Sequence, residues 1–255
     1  MIAYTKGASI LAVVAAALLG FAPAAQAVTV LDQIGDGSNV NPSGLIASQD
    51  FEPTNDSYDI AALDDFVVSG QMVVTKVDAA MGFFNSPDPD PNAIQDYRVE
   101  IYSSPAAAGA SLTGDVASAV VPPGGVTLTD PFVPGGSDLF LVEIPVNLAL
   151  PGAGTYWVSV MPRIDFGEYG QTALSILTAG GFPGGLNAYQ ANPNLGFGFG
   201  SVALVEDAGF GQNVDLAYRV EATPLGSGVI PEPLTMTGLL MGLCGAGAYL
   251  RRRGA

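Results

Sequence analysis

The chain has 255 residues, with 24 acidic and 8 basic side chains, one cysteine and no histidine. Once targeting segments are set aside, one domain of about 200 residues is the natural expectation. The acidic surplus repels phosphate backbones and argues against nucleic-acid partners, and the missing histidine excludes Ser-His-Asp and Cys-His catalysis together with imidazole metal sites.

Residues 1–27 read as a secretory signal peptide. Lys6 supplies the positive start and Ala8 to Gly20 the apolar stretch. Ala25 and Ala27 are the small residues at positions −3 and −1, which predicts cut by signal peptidase after Ala27.

Residues 28–223 have a different texture. Short runs rich in Val, Ile, Leu, Tyr and Phe alternate with Gly, Pro, Asn, Asp and Ser clusters, and no long helical periodicity intervenes. Strands are expected over Ala62 to Val68, Met72 to Phe84, Tyr97 to Tyr102, Asp138 to Ile144, Gly154 to Val160 and Asn213 to Thr223. Weaker candidates are Thr172 to Leu177 and Phe199 to Val205. In two of these the alternation is clean. Tyr97, Val99 and Ile101 share one face and Arg98 and Glu100 the other; Val214, Leu216, Tyr218 and Val220 oppose Asp215, Arg219 and Glu221. Such alternation predicts one core face and one solvent face. Pro105 to Ala110 is a small-residue loop or one helical turn, and the Pro87 to Asn92 segment cannot join a ladder. The fold expected is all-β: an antiparallel two-sheet sandwich of jelly-roll type, with a barrel as the alternative. A signal helix precedes it and a transmembrane helix follows.

A linker over 224–230 leads into the tail. Pro231-Glu232-Pro233 is followed by 17 uncharged residues, Leu234 to Leu250, and then by Arg251-Arg252-Arg253. As a helix the uncharged run reaches about 25 Å, the short end for a bilayer span. The arginines hold its end on the cytoplasmic side. Prolines keep the triplet extended, and Glu232 resists entry into the membrane.

Triplet, apolar run and terminal basic cluster in this order resemble the PEP-CTERM sorting signal of Gram-negative bacteria, whose members also carry a signal peptide. The resemblance covers 231–253 and the export signal, and does not extend to the body. It implies processing by an exosortase near Pro231-Glu232-Pro233, a transient stay in the inner membrane, and delivery to the cell surface or extracellular matrix, in association with exopolysaccharide.

Within the body, 23 acids face four basic residues, Lys76, Arg98, Arg163 and Arg219. Asp88, Asp90 and Asn92 place three oxygen side chains at alternate positions on a stiff loop, which makes Ca2+ the one cofactor with a candidate site; no other is expected. Asp64-Asp65 and the Asp56–Asp59 stretch are further acidic clusters. Trp157, the only tryptophan, and Tyr169 are candidates for stacking on a sugar. Gly196 to Gly200 lacks the lysine and the strand-to-helix setting of a phosphate loop and reads as a turn. The expected role is structural or adhesive and not enzymatic. The alternatives are a carbohydrate-binding module, with or without Ca2+, and a polysaccharide-cleaving enzyme using paired carboxylates such as Asp165 and Glu168.

Overall fold

A computed structural model describes residues 26–132, 135, 136, 138–178, 185–209 and 213–225, and within them the chain forms thirteen strands. The longest, β4 (Met72–Phe84), organises the first sheet. One edge of β4 pairs with β8 (Leu139–Leu150), and β8 with β7 (Thr127–Thr129). The other edge is divided. β13 (Tyr218–Pro224) takes Met72 to Ala79, and β10 (Gln171–Leu177) takes Met81 to Phe84. β1 (Val28–Asp32) lies beyond β13, and β2 (Val40–Ala47) beyond β10.

The second sheet has the order β12-β11-β3-β9-β5-β6. Its strands are β3 (Ala61–Val68), β5 (Asp96–Tyr102), β6 (Ala117–Val121), β9 (Gly154–Arg163), β11 (Tyr189–Ala191) and β12 (Val202–Leu204). All strand pairs in both sheets are antiparallel.

Alternation places one face of each sheet in a shared core. Val74, Val77 and Met81 of β4 and Val142 and Ile144 of β8 pack in one cluster with Phe66 of β3, Val99 and Ile101 of β5, and Val158 and Val160 of β9. Pro145 interrupts β8 at a bulge: Val74 pairs with Leu148 but Lys76 with Pro145, so two residues of β8 oppose Thr75 alone. A proline is tolerated there because a bulge leaves main-chain groups outside the ladder.

The opposite faces differ from the sequence expectation. Glu100 and Asp215 are buried, although alternation assigns both to solvent. The outer face of the second sheet is covered by α1 (Pro105–Ala110) and the loop after it, where Gly114 N–H donates to Glu100 at 2.7 Å and Arg98 pairs with Glu100 and Asp50. The stretch Asn213 to Thr223 is also not one strand. The ladder starts at Tyr218, and Leu216 makes only an isolated bridge to Ile176. Asp64, on the inner face of β3, takes up the freed Leu216 N–H at 2.6 Å.

Two hydroxyls repair a gap between β3 and β9. Ala62 N–H donates to Ser48 Oγ at 3.2 Å, which donates to the Val160 carbonyl at 2.7 Å. Val160 N–H donates to Tyr218 Oη at 3.0 Å, which donates to the Ala62 carbonyl at 3.0 Å. Each hydroxyl thus stands where one direct ladder bond would run.

The body's two ends lie side by side. Val28 pairs with Ala222, and Pro224 pairs with Met72. The compact unit is Ala27–Pro224. Because β4 has 13 residues, its Phe84 end lies about 40 Å along the strand from its Met72 end, where β1 begins and β13 ends. Among the described residues no helix is long and apolar enough to cross a membrane. The signal helix and the tail helix expected from sequence lie outside the described residues.

Candidate functional site

Three connecting segments meet beyond the Phe84 end of β4, and each carries at least one aromatic side chain. Phe51 follows β2, Tyr58 ends the 3-10 turn Pro53–Tyr58, Phe166 opens the short helix α2 (Phe166–Tyr169), and Phe197 lies in the loop after β11. Phe51 is the buried hub. Its ring centroid lies 6.4 Å from Tyr58, 5.7 Å from Phe166 and 6.4 Å from Phe197. Phe197 meets Tyr58 edge-on at 5.5 Å and stacks on Phe199 at 6.4 Å. The outer rings are open to solvent: Tyr58 is 43% exposed, Phe166 38% and Phe197 39%. Rings carried on loops have no facing sheet to bury them, so a cluster of three exposed rings is an unusual concentration of apolar surface.

The platform is held from below by polar side chains. The backbone N–H of Phe51 donates to Asp59 (2.8 Å), that of Phe166 to Glu52 (3.2 Å) and that of Phe197 to Asn192 (3.2 Å). Asn192, fully buried, also donates to the Asp59 carbonyl at 2.8 Å and so ties the 192–200 loop to the 3-10 turn. Gly196 N–H donates to the Ser57 carbonyl at 3.1 Å, and a Cβ at Gly196 would collide with that same carbonyl. Burial pushes the Asp59 carboxyl up to about 6, against the opposing pull of the Phe51 N–H; the Asp50 charge adds to the rise.

Beside the rings runs a groove of about 580 Å3 whose walls include Ile60, Phe84, Gln171, Gln190, Phe197 and Phe199. A second hollow of about 400 Å3 shares Leu45, Phe84 and Asn85 with it and is bounded by Pro89, Pro91, Asp130 and Asp138. Both volumes fall in the range of small-molecule sites. Neither is lined by a lysine or an arginine among the described residues. Gln171 is only 4% exposed, and its Nε2 has no hydrogen-bond partner. A buried donor left unsatisfied costs on the order of 1–3 kcal/mol.

The residues singled out from sequence fall elsewhere or are only partly assembled. Asp90 caps the 3-10 turn Pro91–Ala93, accepting from Asn92 N–H at 2.9 Å and Asn92 Nδ2 at 3.0 Å. Two of the three Ca2+ candidates are therefore bonded to each other, and Asp88 is exposed beside them. Trp157 is 8% exposed and lies on the covered outer face of the second sheet with Tyr102, Leu112 and Met161. It offers no ring face to a sugar, because α1 and its loop roof that face. Tyr169 packs against the central core instead, so the two stacking candidates are not brought together. Asp165 accepts from Glu168 N–H at 3.1 Å as the cap of α2, which gives both exposed acids a local structural setting. Asp64 and Asp65 are buried: Asp64 holds Leu216 N–H, and Asp65 holds Leu186 N–H at 2.6 Å. Among the described residues no three acidic or other metal-ligating side chains form a grouping able to hold a metal ion. Ala27 is exposed one residue before β1; Ala25, Pro231, Glu232, Pro233, Arg251, Arg252 and Arg253 lie outside the described residues.

The ring cluster was not anticipated from sequence. The signal was there in Phe51-Glu52-Pro53, Phe166-Gly167 and Phe197-Gly198-Phe199: large rings placed in turn segments beside Gly or Pro, where no strand can bury them. Comparison with known proteins finds no matching family model and no matching curated protein.

Proposed function

We propose that this is an exported, non-catalytic domain of the cell surface or extracellular matrix, delivered through its C-terminal Pro-Glu-Pro signal and adhesive in role. The body is read as a jelly roll. What supports that is the strand order: β1-β13-β4-β8 in one sheet and β3-β9-β5-β6 in the other, the four-and-four arrangement of an eight-stranded double Greek key. β2, β7, β10, β11 and β12 then extend it.

The observation that carries the adhesive reading is the separation of the two ends. β1 begins and β13 ends beside Met72, whereas the exposed rings gather beyond Phe84. The aromatic surface therefore lies at the end of the body away from its first and last strand residues. Signal peptidase would act after Ala27, which is exposed just ahead of β1. An exosortase would act at Pro231-Glu232-Pro233, past the last strand.

The test is a Pro231→Ala, Glu232→Ala double variant in the native host. Under this reading the variant retains its tail, runs as a longer chain and stays in the inner membrane. Unchanged chain length and unchanged surface display would sink the sorting proposal.

A further inference from the structure

We propose that the aromatic-edged groove binds an uncharged saccharide chain, with the exposed rings of Tyr58 and Phe197 as stacking faces and Gln171 Nε2 as a donor to a ring or hydroxyl oxygen. The inference rests on the adhesive reading and names what is bound.

Three independent observations converge on this ligand chemistry. The first is the rings. A pyranose presents a face of C–H bonds, apolar enough to cover an aromatic ring, and an equator of hydroxyls that must be hydrogen-bonded. Phe197 lines the groove and Tyr58 packs edge-on against it at 78° just beside the groove, so the two are not one flat plate. The backbone of Phe197 is already held by Asn192, so little ordering remains to be done on binding.

The second is the unsatisfied donor. Gln171 stands in the first position of β10 opposite Phe84 and belongs to the groove wall; its Nε2 is unpartnered and closed to solvent, so a turn of the side chain brings it to a ligand. An ether or hydroxyl oxygen would complete it, and a hydrocarbon ligand would leave it unpaired.

The third is charge. The lining contains no described basic side chain, and the adjoining hollow is bounded by Asp130 and Asp138. On a chain of net charge −16 such walls repel uronate, sulfate or phosphate groups and select a neutral polymer. The two hollows adjoin at Leu45, Phe84 and Asn85.

The experiment uses the full chain in nanodiscs, titrated calorimetrically with hexasaccharides of glucose, mannose and galactose and with a uronate hexasaccharide. At least one neutral probe binds and the uronate does not. Tyr58→Ala with Phe197→Ala weakens binding at least about tenfold, as does Gln171→Leu, whereas Val120→Ala, on exposed β6, leaves it unchanged. Urea midpoints of the variants establish that they fold. Saturation transfer from aromatic protons to the sugar, measured on the unaltered chain, needs no variant. Absence of binding to every neutral probe, tighter binding of the uronate, or variants that bind like the parent would overturn the proposal. So would ring-dependent self-association without saccharide binding, which assigns the rings to a second copy of the chain. A chain that is processed and displayed normally yet binds no saccharide defeats this inference and leaves the delivery reading standing.

Discussion

Tyr218 and Ser48 replace a pair of main-chain bonds between β3 and β9, and both hydroxyls are buried. Tyr218 comes from the opposite sheet, so its hydroxyl also ties the two sheets together through the core. Removing that oxygen would leave Val160 N–H and the Ala62 carbonyl without partners in a dry interior. Tyr218→Phe is therefore predicted to cost about 1–3 kcal/mol, read as a lower urea midpoint with an unchanged slope. An unchanged midpoint would mean that the strands close directly. Nothing in the sequence marked Tyr218 for this task. Its place in the alternation correctly put it in the core, but a hydroxyl's partner 156 residues away is a property of the assembled sheets.

At the scale of elements, strand existence was legible and strand surroundings were not. Met72 to Phe84 was bounded as observed because its flanks, Ser69-Gly70 and Asn85-Ser86-Pro87, cannot continue a ladder. Five strands were not expected: β1, β6, β7 and β11, whose three to five residues carry too little periodicity to separate from loop, and the eight-residue β2, whose Pro42 and Gly44 read as turn material. Faces were misjudged where a roof of loop covers the sheet, as over Glu100. The site was the least legible part, because its residues come from three loops brought together only by the fold. The 192–200 loop illustrates this. Its Gly-Phe-Gly-Phe-Gly run reads as a turn, and it is one, yet the turn exists to set Phe197 and Phe199 beside Phe51. Gly196 permits the close approach to Ser57. Gly196→Ala should lift the loop from the 3-10 turn without disturbing β4. Hydrogen exchange at the Phe197 amide is predicted to accelerate at least about tenfold, with β4 amides unaffected. Equal exchange in parent and variant would contradict this account of the loop.

For the molecule as a whole, acidity is a load carried by the folded state. Burial pushes Asp59 and Asp215 up to about 6, with the neighbouring Asp65 charge adding to the shift at Asp215. Burial also raises Asp64, Asp65, Asp78, Asp96 and Glu100. A carboxyl with a higher pKa in the fold than in the unfolded chain binds its proton more tightly when folded. Its stabilising contribution is full below the unfolded value near 3.8 and is lost as pH rises through about 6. The melting temperature should therefore rise as pH is lowered from 7.5 to 5, with relief of self-repulsion among the acids acting in the same direction. A melting temperature that falls over that interval would show that the ion pairs of Asp50, Asp78 and Asp32 dominate instead.

The same scale holds the central proposal, that a β-domain is delivered by a removable leader and a removable tail. The intact mass of the protein recovered from the surface of its native host tests both at once. The account predicts a chain that starts at Val28 and ends near Pro231-Glu232-Pro233, without the apolar run and the arginines. A surface chain that still runs from Met1 to Ala255 would contradict it.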